Sequence, residues 1–199
     1  MDPKIISHFK KQDPMLYAYI AKIEPLDPFA KKETESFFEE LCDSIVSQQL
    51  SGKAAATIFS RFKNLFPRGK ITPARTLKIS DEQLRSVGLS RAKASYIKDL
   101  AQKVKDKKLN LEKLVLLDDG GIIQELIKMK GIGRWTAEMF LIFTLGREDV
   151  FSIGDLGLRN GLKKVYGEKN AEQLEKIIKS WSPYRSYASR ILWRSLEVR

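Results

Sequence analysis

The stretch LIKMKGIGRWTAEMFLIF, residues 126–143, decides the fold of this chain. An apolar helix runs to Lys130, a Gly-Ile-Gly turn follows, and an apolar helix resumes, so the stretch predicts two helices joined by a tight hairpin. Gly131 and Gly133 permit positive φ and carry no side chain, which lets backbone amides at the start of the second helix converge on one anion. Ile132 is expected to anchor the turn by inserting between the two helices.

A DNA phosphate fits this anion site. Lys130 and Arg134 flank the turn with positive charge, and Thr136 in the second helix is a further candidate for contact with DNA. The net charge of +11 favours a polyanionic partner, although lysine-rich solvated faces explain the same composition. Lys93 could contact a phosphate, but surface solvation explains this residue equally well. A helix C-cap glycine followed by a structural turn is the alternative reading of the hairpin. A hairpin of this kind positions DNA but reads no base sequence.

The rest of the chain has the same helical periodicity. Apolar residues recur at three- and four-residue spacing, as at Phe37, Leu41 and Ile45, whereas sustained period-two alternation is absent. Segments such as EPLDP and LFPRGKITP separate short helices. We predict an all-α protein with two helical lobes and an active-site cleft between them. Residues 36–146 form the central lobe with the hairpin, and residues 1–35 and 147–199 form the second lobe.

Composition excludes several classes of site and location. Cys42 and His8 are the single residues of their types, so one chain supports no disulfide framework and no cysteine-ligated zinc or iron–sulfur centre. No apolar run of signal-peptide or membrane-span length is present. We therefore expect a monomer without a membrane segment, in the cytoplasm with the nucleoid or in the nucleus.

KGIGRWTAEMFLIFTLGREDVFSIGDLGLRNG, residues 130–161, resembles the signature region of the helix-hairpin-helix (HhH-GPD) DNA glycosylases. In that family the hairpin and the stretch after it end in a catalytic aspartate, which corresponds here to Asp155. The resemblance is to the alkylpurine branch, the 3-methyladenine DNA glycosylase II type, and extends from about Phe37 to the C-terminus. It implies a base-excision-repair enzyme that hydrolyses the N-glycosidic bond of alkylated purines, such as 3-methyladenine and 7-methylguanine, in double-stranded DNA and leaves an abasic site.

The chemistry of Asp155 agrees with that role. Breaking an N-glycosidic bond builds positive charge on the sugar, so an ionised carboxylate beneath the ring stabilises the transition state and orients water. Asp155 lies in the weakly charged stretch SIGDLGL. The alternative is that Asp155 only caps the helix LGLRNGLKKV, and the residue chemistry leaves both roles open and mutually compatible.

Aromatic residues are the candidates for the base pocket. Glycosylases that also cut the strand use a lysine at the start of the second hairpin helix, and Trp135 occupies that position here, which implies a monofunctional enzyme. Trp135 would hold a cationic base by stacking and cation–π attraction, unless it packs in the core. The C-terminal stretch WSPYRSYASRILWRSLE resembles the closing helix of the alkylpurine branch and adds Trp193 and Tyr187, for which core packing is also open. Leu156 departs from relatives that have an aromatic residue after the aspartate.

LCDSIVSQQLSGKAAATIF, residues 41–59, resembles the family's wedge turn, which fills the gap left by a flipped nucleotide. The resemblance points to Gln48, Gln49 and Leu50, with Gln49 as the plug and Leu50 either supporting it or packing inward. The alternative is an ordinary helix start with Ser51 as its N-cap.

Two other functions stay open. One is a non-enzymatic helix-hairpin-helix DNA-binding protein, and the other is a glycosylase for oxidised or deaminated bases. The resemblance implies no organic cofactor and no catalytic metal, although hairpin carbonyls in relatives hold a monovalent cation.

Overall fold

The computed structural model describes residues 1–23 and 25–198. In this range the regular structure is helical and contains no β-strand, which confirms the all-α prediction. The α-helices are α1 (Pro3–Gln12), α2 (Pro14–Ile20), α3 (Phe37–Ser47), α4 (Gly52–Lys63), α5 (Pro73–Thr76), α6 (Asp81–Ser86), α7 (Arg91–Lys105), α8 (Leu111–Leu114), α9 (Asp119–Leu126), α10 (Arg134–Phe143), α11 (Leu156–Tyr166), α12 (Ala171–Ser180) and α13 (Arg185–Ser195). None of the described helices is long and apolar enough to cross a bilayer.

Short polar side chains mark where many of these helices begin. Each accepts a hydrogen bond from a backbone amide of the first turn, a group that has no partner inside the helix. These capping residues are Asp2, Asp13, Thr72, Ser80, Ser90, Asn110, Asp118, Asp155 and Asn170. The residue type at each of these positions therefore helps to set where the helix begins.

The chain divides into two compact units, and one of them is Lys32–Phe140. Within it, α3 packs against α4 and α7, and α5 and α6 pack against α7. Phe37, Leu41 and Ile45, the apolar repeat on α3, are completely buried. Phe37 meets Phe140 edge to face, which joins α3 to α10 in this core.

The other unit consists of Met1–Lys31 and Leu141–Arg199. Here α11 packs against α13, and α2 packs against both. Asp13 connects the N-terminal segment to this core: its Oδ1 caps α2 through the amide of Leu16, and its Oδ2 accepts hydrogen bonds from Tyr166 Oη at 2.6 Å and Trp181 Nε1 at 2.7 Å. Burial and the neighbouring Asp13 carboxylate raise the pKa of Tyr166 well above its ordinary value, so this hydroxyl stays a donor.

The expected lobe boundaries lie near these units without matching them. The central lobe was expected at 36–146, whereas the unit is Lys32–Phe140. The cleft expected between the lobes stays a prediction. One helix end was predicted wrongly: the first hairpin helix ends at Leu126, not at Lys130. Ile127 and Met129 continue the apolar pattern but lie in turns, where the Met129 amide donates to the Leu126 carbonyl at 3.0 Å.

Candidate active site and nucleic-acid interface

Asp155 stands at the N-cap of α11 and is half-buried. Its amide donates to the Ser152 carbonyl at 3.0 Å, which turns the chain into the helix. Its Oδ1 accepts a hydrogen bond from the Leu158 amide at 2.7 Å. The capping role considered for Asp155 is therefore real. It also suits chemistry, because the amide donor fixes the orientation of the carboxylate.

Trp193 provides a second donor to the same oxygen. Its indole Nε1 lies 2.9 Å from Asp155 Oδ1, and its ring stacks on Phe143 with centroids 5.8 Å apart and planes 29° from parallel. Phe143 is 47% exposed although it ends an apolar helix. A hydrogen-bonded carboxylate thus lies beside a pair of stacked aromatic rings.

Phe143 was missed by the sequence analysis. In the run FLIF it has the pattern of a core residue, and only its exposure and its contact with Trp193 distinguish it. Apolar exposure continues around the aspartate, since Ile153 and Leu156 are 56% and 63% exposed. Exposed apolar residues grouped near one polar side chain are typical of a binding surface.

The segment that leads to Asp155 is held by the start of α13. Ser186 Oγ contacts the Arg147 carbonyl at 2.7 Å and both the amide and the carbonyl of Val150, at 3.0 and 3.3 Å. Arg185 forms a two-pronged ion pair with Asp149, with Nε–Oδ1 at 2.7 Å and Nη2–Oδ2 at 3.0 Å. The Arg-Ser pair of the C-terminal stretch therefore positions the loop before the aspartate.

The ion pair determines the protonation of Asp149. Partial burial acts to raise the pKa of this carboxyl, but hydrogen bonds from Arg185 and from Ser182 outweigh it and hold the pKa below its ordinary value. The pair is ionised at neutral pH.

Tyr187 does not line an exposed pocket. Its side chain is 2% exposed in the core of Met1–Lys31 and Leu141–Arg199, where its ring meets Phe29 edge to face. Its hydroxyl lies 3.1 Å from Glu148 Oε1 and 3.4 Å from the amide of Phe29, which donates to it. This is the core-packing alternative left open for Tyr187, and the residue is left out of the site below.

Trp135 is the second residue of α10 and is 46% exposed. This exposure argues against the core-packing alternative, because Trp181, the buried tryptophan of this chain, exposes none of its surface. Trp135 therefore has an indole that is about half exposed at the start of a helix.

The hairpin is built as the sequence suggested at two of its three central residues. Gly131 has φ of +79°, and a Cβ placed on it would lie 2.2 Å from Tyr96 Cδ2, so both conformation and space require glycine. Ile132 is buried, as expected for the anchor. Gly133 is not in the left-handed region, contrary to expectation, and a Cβ there would meet nothing within 4 Å. Its open surroundings leave space for a partner to approach the backbone.

Side chains around the hairpin differ in their availability to a phosphate. Lys130 is exposed, with Nζ 3.9 Å from Asp99 Oδ1. Arg134 is exposed and pairs with Glu138 at 2.8 Å. The side chain of Thr136 is wrongly predicted as a contact, because the residue is 4% exposed. The α10 amides and the two cations are what this surface offers an anion.

The turn between α3 and α4 is tied to the hairpin. Gln48 Nε2 donates to the Gly131 carbonyl at 2.6 Å. Gln49 is exposed with φ of +57°, and Leu50 is exposed rather than packed inward. Ser51 stands at the start of α4, where its carbonyl accepts from Ala55, but its side chain makes no capping hydrogen bond. Gln49 and Leu50 thus protrude from a turn that Gln48 anchors.

Lys93 stabilises the turn between α3 and α4 through hydrogen bonds to its backbone. Its Nζ donates to the carbonyls of Val46 and Gln48, each at 2.7 Å, at the end of α3. Desolvation lowers the pKa of Lys93 from its ordinary value. The phosphate contact considered for Lys93 is not what the structure shows, since its ammonium satisfies helix-terminal carbonyls.

A pocket of about 550 Å³ lies between the turn and the hairpin. The residues that line it include Gln48, Gln49, Lys93, Tyr96, Gly131 and Gly133. The wedge turn and the hairpin therefore face a common space.

The described residues contain no group of three or more His, Cys, Asp or Glu side chains suited to a metal ion. For a monovalent cation at the hairpin, two carbonyls are already engaged: Gly131 accepts from Gln48, and Lys128 accepts from Lys103 Nζ at 3.0 Å. The cation expected at the hairpin therefore stays a prediction.

Comparison with known proteins gives consistent matches. The family description HhH-GPD, base excision DNA repair proteins, matches residues 42–183. DNA-3-methyladenine glycosylase 1 of Schizosaccharomyces pombe is 33% identical over 188 residues, which cover 92% of this chain and 81% of the relative. The crystal structure of a DNA-3-methyladenine glycosidase from Bacillus halodurans is 36% identical with a TM-score of 0.82, covering 98% and 89% of the two chains. The S. pombe 3-methyladenine DNA glycosylase in complex with abasic DNA is 31% identical with a TM-score of 0.87, covering 98% and 97%.

Proposed function

This chain belongs to the helix-hairpin-helix (HhH-GPD) superfamily of base excision DNA repair proteins, and we propose that it is a monofunctional DNA glycosylase for alkylated purines. The observation that carries the proposal is the half-buried Asp155 carboxylate, which accepts hydrogen bonds from Leu158 and Trp193 beside the Phe143–Trp193 stack. The names of its relatives, which are 3-methyladenine glycosylases, support this substrate class.

Asp155 supplies the catalytic charge in this proposal. As the bond between purine and sugar lengthens, the sugar gains oxocarbenium character, and the carboxylate stabilises that charge and orients the attacking water. Donors that hold Oδ1 in place keep the carboxylate correctly aimed without further reorganisation during the reaction. The electron pair of the bond between sugar and base leaves with the cationic purine, which becomes neutral. Water then bonds to the sugar, and the proton that it loses passes to solvent, so that the sugar keeps a hydroxyl.

The aromatic residues bind the base. A purine methylated at N3 or N7 carries positive charge, so the faces of Phe143 and Trp193 attract it by stacking and cation–π interaction, about 0.5–2 kcal/mol for one such interaction. Trp135 is a separate candidate for stacking on a base. A cationic purine is also a good leaving group, so no strong general acid is needed. Trp135 occupies the position at which glycosylases that also cut the strand have lysine. This supports attack by water rather than by an amine.

The remaining candidates handle the duplex. The hairpin amides with Lys130 and Arg134 bind a backbone phosphate, and Gln49 with Leu50 fills the space left by the extruded nucleotide. The substrate is double-stranded DNA, so we expect a monomer that acts in the nucleoid-containing cytoplasm or in the nucleus.

The test is release of free purines from methylated DNA by the wild-type protein and by Asp155→Asn, followed by alkali to reveal abasic sites. We expect the variant to lose about 10²-fold or more in rate, since it removes the charge but can still cap α11. Asp118→Asn is the matched control, because Asp118 caps α9 with the same geometry, Oδ1 to the Gly121 amide at 2.7 Å. This control should keep full activity.

Two results would reject the proposal. Duplex binding without release of methylated, oxidised or deaminated bases would favour a non-enzymatic DNA-binding protein. A protein–DNA adduct trapped by borohydride would show an amine nucleophile and hence a strand-cutting enzyme.

A further inference from the structure

We propose that Gly157 is a positioning residue whose missing side chain lets the Trp193 indole reach Asp155. The structural part of this inference is independent of activity, and its effect on catalysis rests on the proposed function. Gly157 is the second residue of α11, directly beside the aspartate that caps this helix.

The side chains of Trp193 and Asp155 already occupy the space that a Cβ on Gly157 would need. A Cβ on Gly157 would lie 2.9 Å from Trp193 Cδ1, 3.0 Å from Trp193 Nε1 and 3.1 Å from Asp155 Oδ1. These atoms include both ends of the 2.9 Å hydrogen bond between indole and carboxylate. A methyl group there would press directly on the donor and the acceptor.

Backbone conformation does not explain the glycine. Gly157 does not have a positive φ and lies within a regular helix, where alanine is the better helix former. With no contact to preserve, replacement by alanine would be neutral or stabilising. The close approach of Trp193 is therefore the physical reason for glycine at this position.

Gly161 extends the same arrangement by one helical turn. A Cβ on Gly161 would lie 2.8 Å from the Leu192 carbonyl oxygen and 2.9 Å from Leu192 Cβ. Residues four apart share one face of a helix, so both glycines of α11 meet consecutive residues of α13. This close approach of the two backbones brings Trp193 within hydrogen-bonding distance of the N-cap of α11.

The first experiment measures the hydrogen bond directly. The protein has three tryptophans, so a spectrum of ¹⁵N-labelled indole groups contains three signals, and Trp193→Phe identifies that of Trp193. In the wild type we expect this signal to lie downfield and to shift when Asp155 is replaced by Asn. In Gly157→Ala it should move upfield and exchange faster with solvent, because the indole is displaced from the carboxylate.

Gly120→Ala is the matched control. Gly120 is also the second residue of a helix capped by aspartate, but a Cβ there would have only Asp118 Oδ1 near it, at 3.9 Å. It should leave the Trp193 signal unchanged. If Gly157→Ala also left the signal unchanged, the proposal would be overturned regardless of whether the protein is a glycosylase.

Kinetics and stability provide the second measurement. Gly157→Ala should lower kcat for purine release about tenfold, with KM and duplex affinity nearly unchanged, as expected for a weakened hydrogen bond to a charged group. If this variant folds poorly, the double variant Gly157→Ala with Trp193→Leu tests whether crowding by Trp193 is the cause. The shorter leucine removes the crowding by the indole, so the double variant should have a Tm equal to or higher than that of Trp193→Leu alone. A further loss of stability would show that Gly157 serves another purpose.

Discussion

Asp155 is both the cap of α11 and the candidate catalytic carboxylate, two roles that the sequence analysis found compatible. The amide that caps α11 and the indole that crosses from α13 both bind Oδ1, so the capping geometry is also the geometry that aims the carboxylate. A capping aspartate elsewhere in the chain, Asp118, lacks a described aromatic donor. The neighbours of Asp155, rather than its position in the helix, distinguish it as the candidate catalytic group.

Trp193→Phe tests the donor to Asp155. The variant removes the indole N–H but keeps a ring that can stack on Phe143. Because a hydrogen bond to a charged group is worth about 1.5–3 kcal/mol, we expect kcat to fall roughly tenfold to a hundredfold while KM changes little. Steady-state release of methylated purines measures this. A large rise in KM with unchanged kcat would instead assign Trp193 to base binding alone.

Asp149→Asn tests the anchor of the loop that precedes Asp155. The pKa of Asp149 is lower in the folded protein than its ordinary value of 3.8, so its ionisation stabilises the fold above that pH and the contribution is lost as the pH falls below it. We expect the variant to be less stable than wild type by about 1 kcal/mol at pH 7, because solvent screens this partly exposed pair. The difference should shrink by pH 3 in urea unfolding. A difference independent of pH would mean that the charge of Asp149 contributes nothing.

Among the elements, the hairpin between α9 and α10 shows which features of a helix-hairpin-helix the spacing of apolar residues predicts. The start of α10 and the burial of Ile132 followed from the spacing of apolar residues. The end of α9 did not, because apolar side chains in a turn can be buried as well as those in a helix. Gly131 and Gly133 look equivalent in the sequence, but only Gly131 has positive φ.

The two hairpin glycines should therefore respond differently to alanine. Gly131→Ala forces a strained φ and a clash with Tyr96, so it should lower the free energy of unfolding by about 1–3 kcal/mol. Gly133→Ala has room within the protein and should leave Tm unchanged, while duplex affinity falls roughly tenfold because the added methyl group keeps a phosphate from the amides. Thermal unfolding and a DNA-binding titration separate the two. Unchanged DNA affinity in Gly133→Ala would place the phosphate elsewhere.

Lys93→Met tests whether Lys93 stabilises the wedge turn or contacts a phosphate. Loss of a phosphate contact would reduce the slope of log affinity against log salt by about 0.9, whereas loss of a bond to helix carbonyls would leave the slope unchanged. We expect an unchanged slope, with a lower Tm, because Lys93 satisfies the carbonyls of Val46 and Gln48. Lys130→Met is the control and should reduce the slope. Equal slopes for both variants would argue against this division of roles.

At the scale of the whole molecule, charge and helical architecture agree in indicating a nucleic-acid partner. Lysine and arginine total 36 against 25 acidic residues. Several of these cations, however, serve the fold: Lys93, Lys98 and Lys164 donate to backbone carbonyls. The net charge therefore overstates the number of cations available to DNA.

Binding of the wild-type protein to undamaged duplex should depend strongly on salt. If about four phosphates are neutralised, affinity falls by about 10²-fold between 50 and 200 mM salt. Fluorescence anisotropy over this range measures the slope, and a duplex of scrambled sequence should give the same value, because the hairpin reads no bases. A flat salt dependence would contradict phosphate binding as the main source of affinity.

Local sequence accounts for the helical class and for many of the helix caps, because these depend on residues three or four apart in the chain. Asp155 was singled out by the family resemblance and not by local spacing. The tertiary structure is what separates the exposed aromatic residues from the buried ones. Tyr187 and Phe143 both lie in apolar helical patterns, yet one is buried in the core and the other is exposed against Trp193. The same holds for Gly157 and Lys93, whose roles depend on side chains or carbonyls contributed by another helix. Exposure and contact at these positions result from packing between segments far apart in sequence, which local periodicity does not encode.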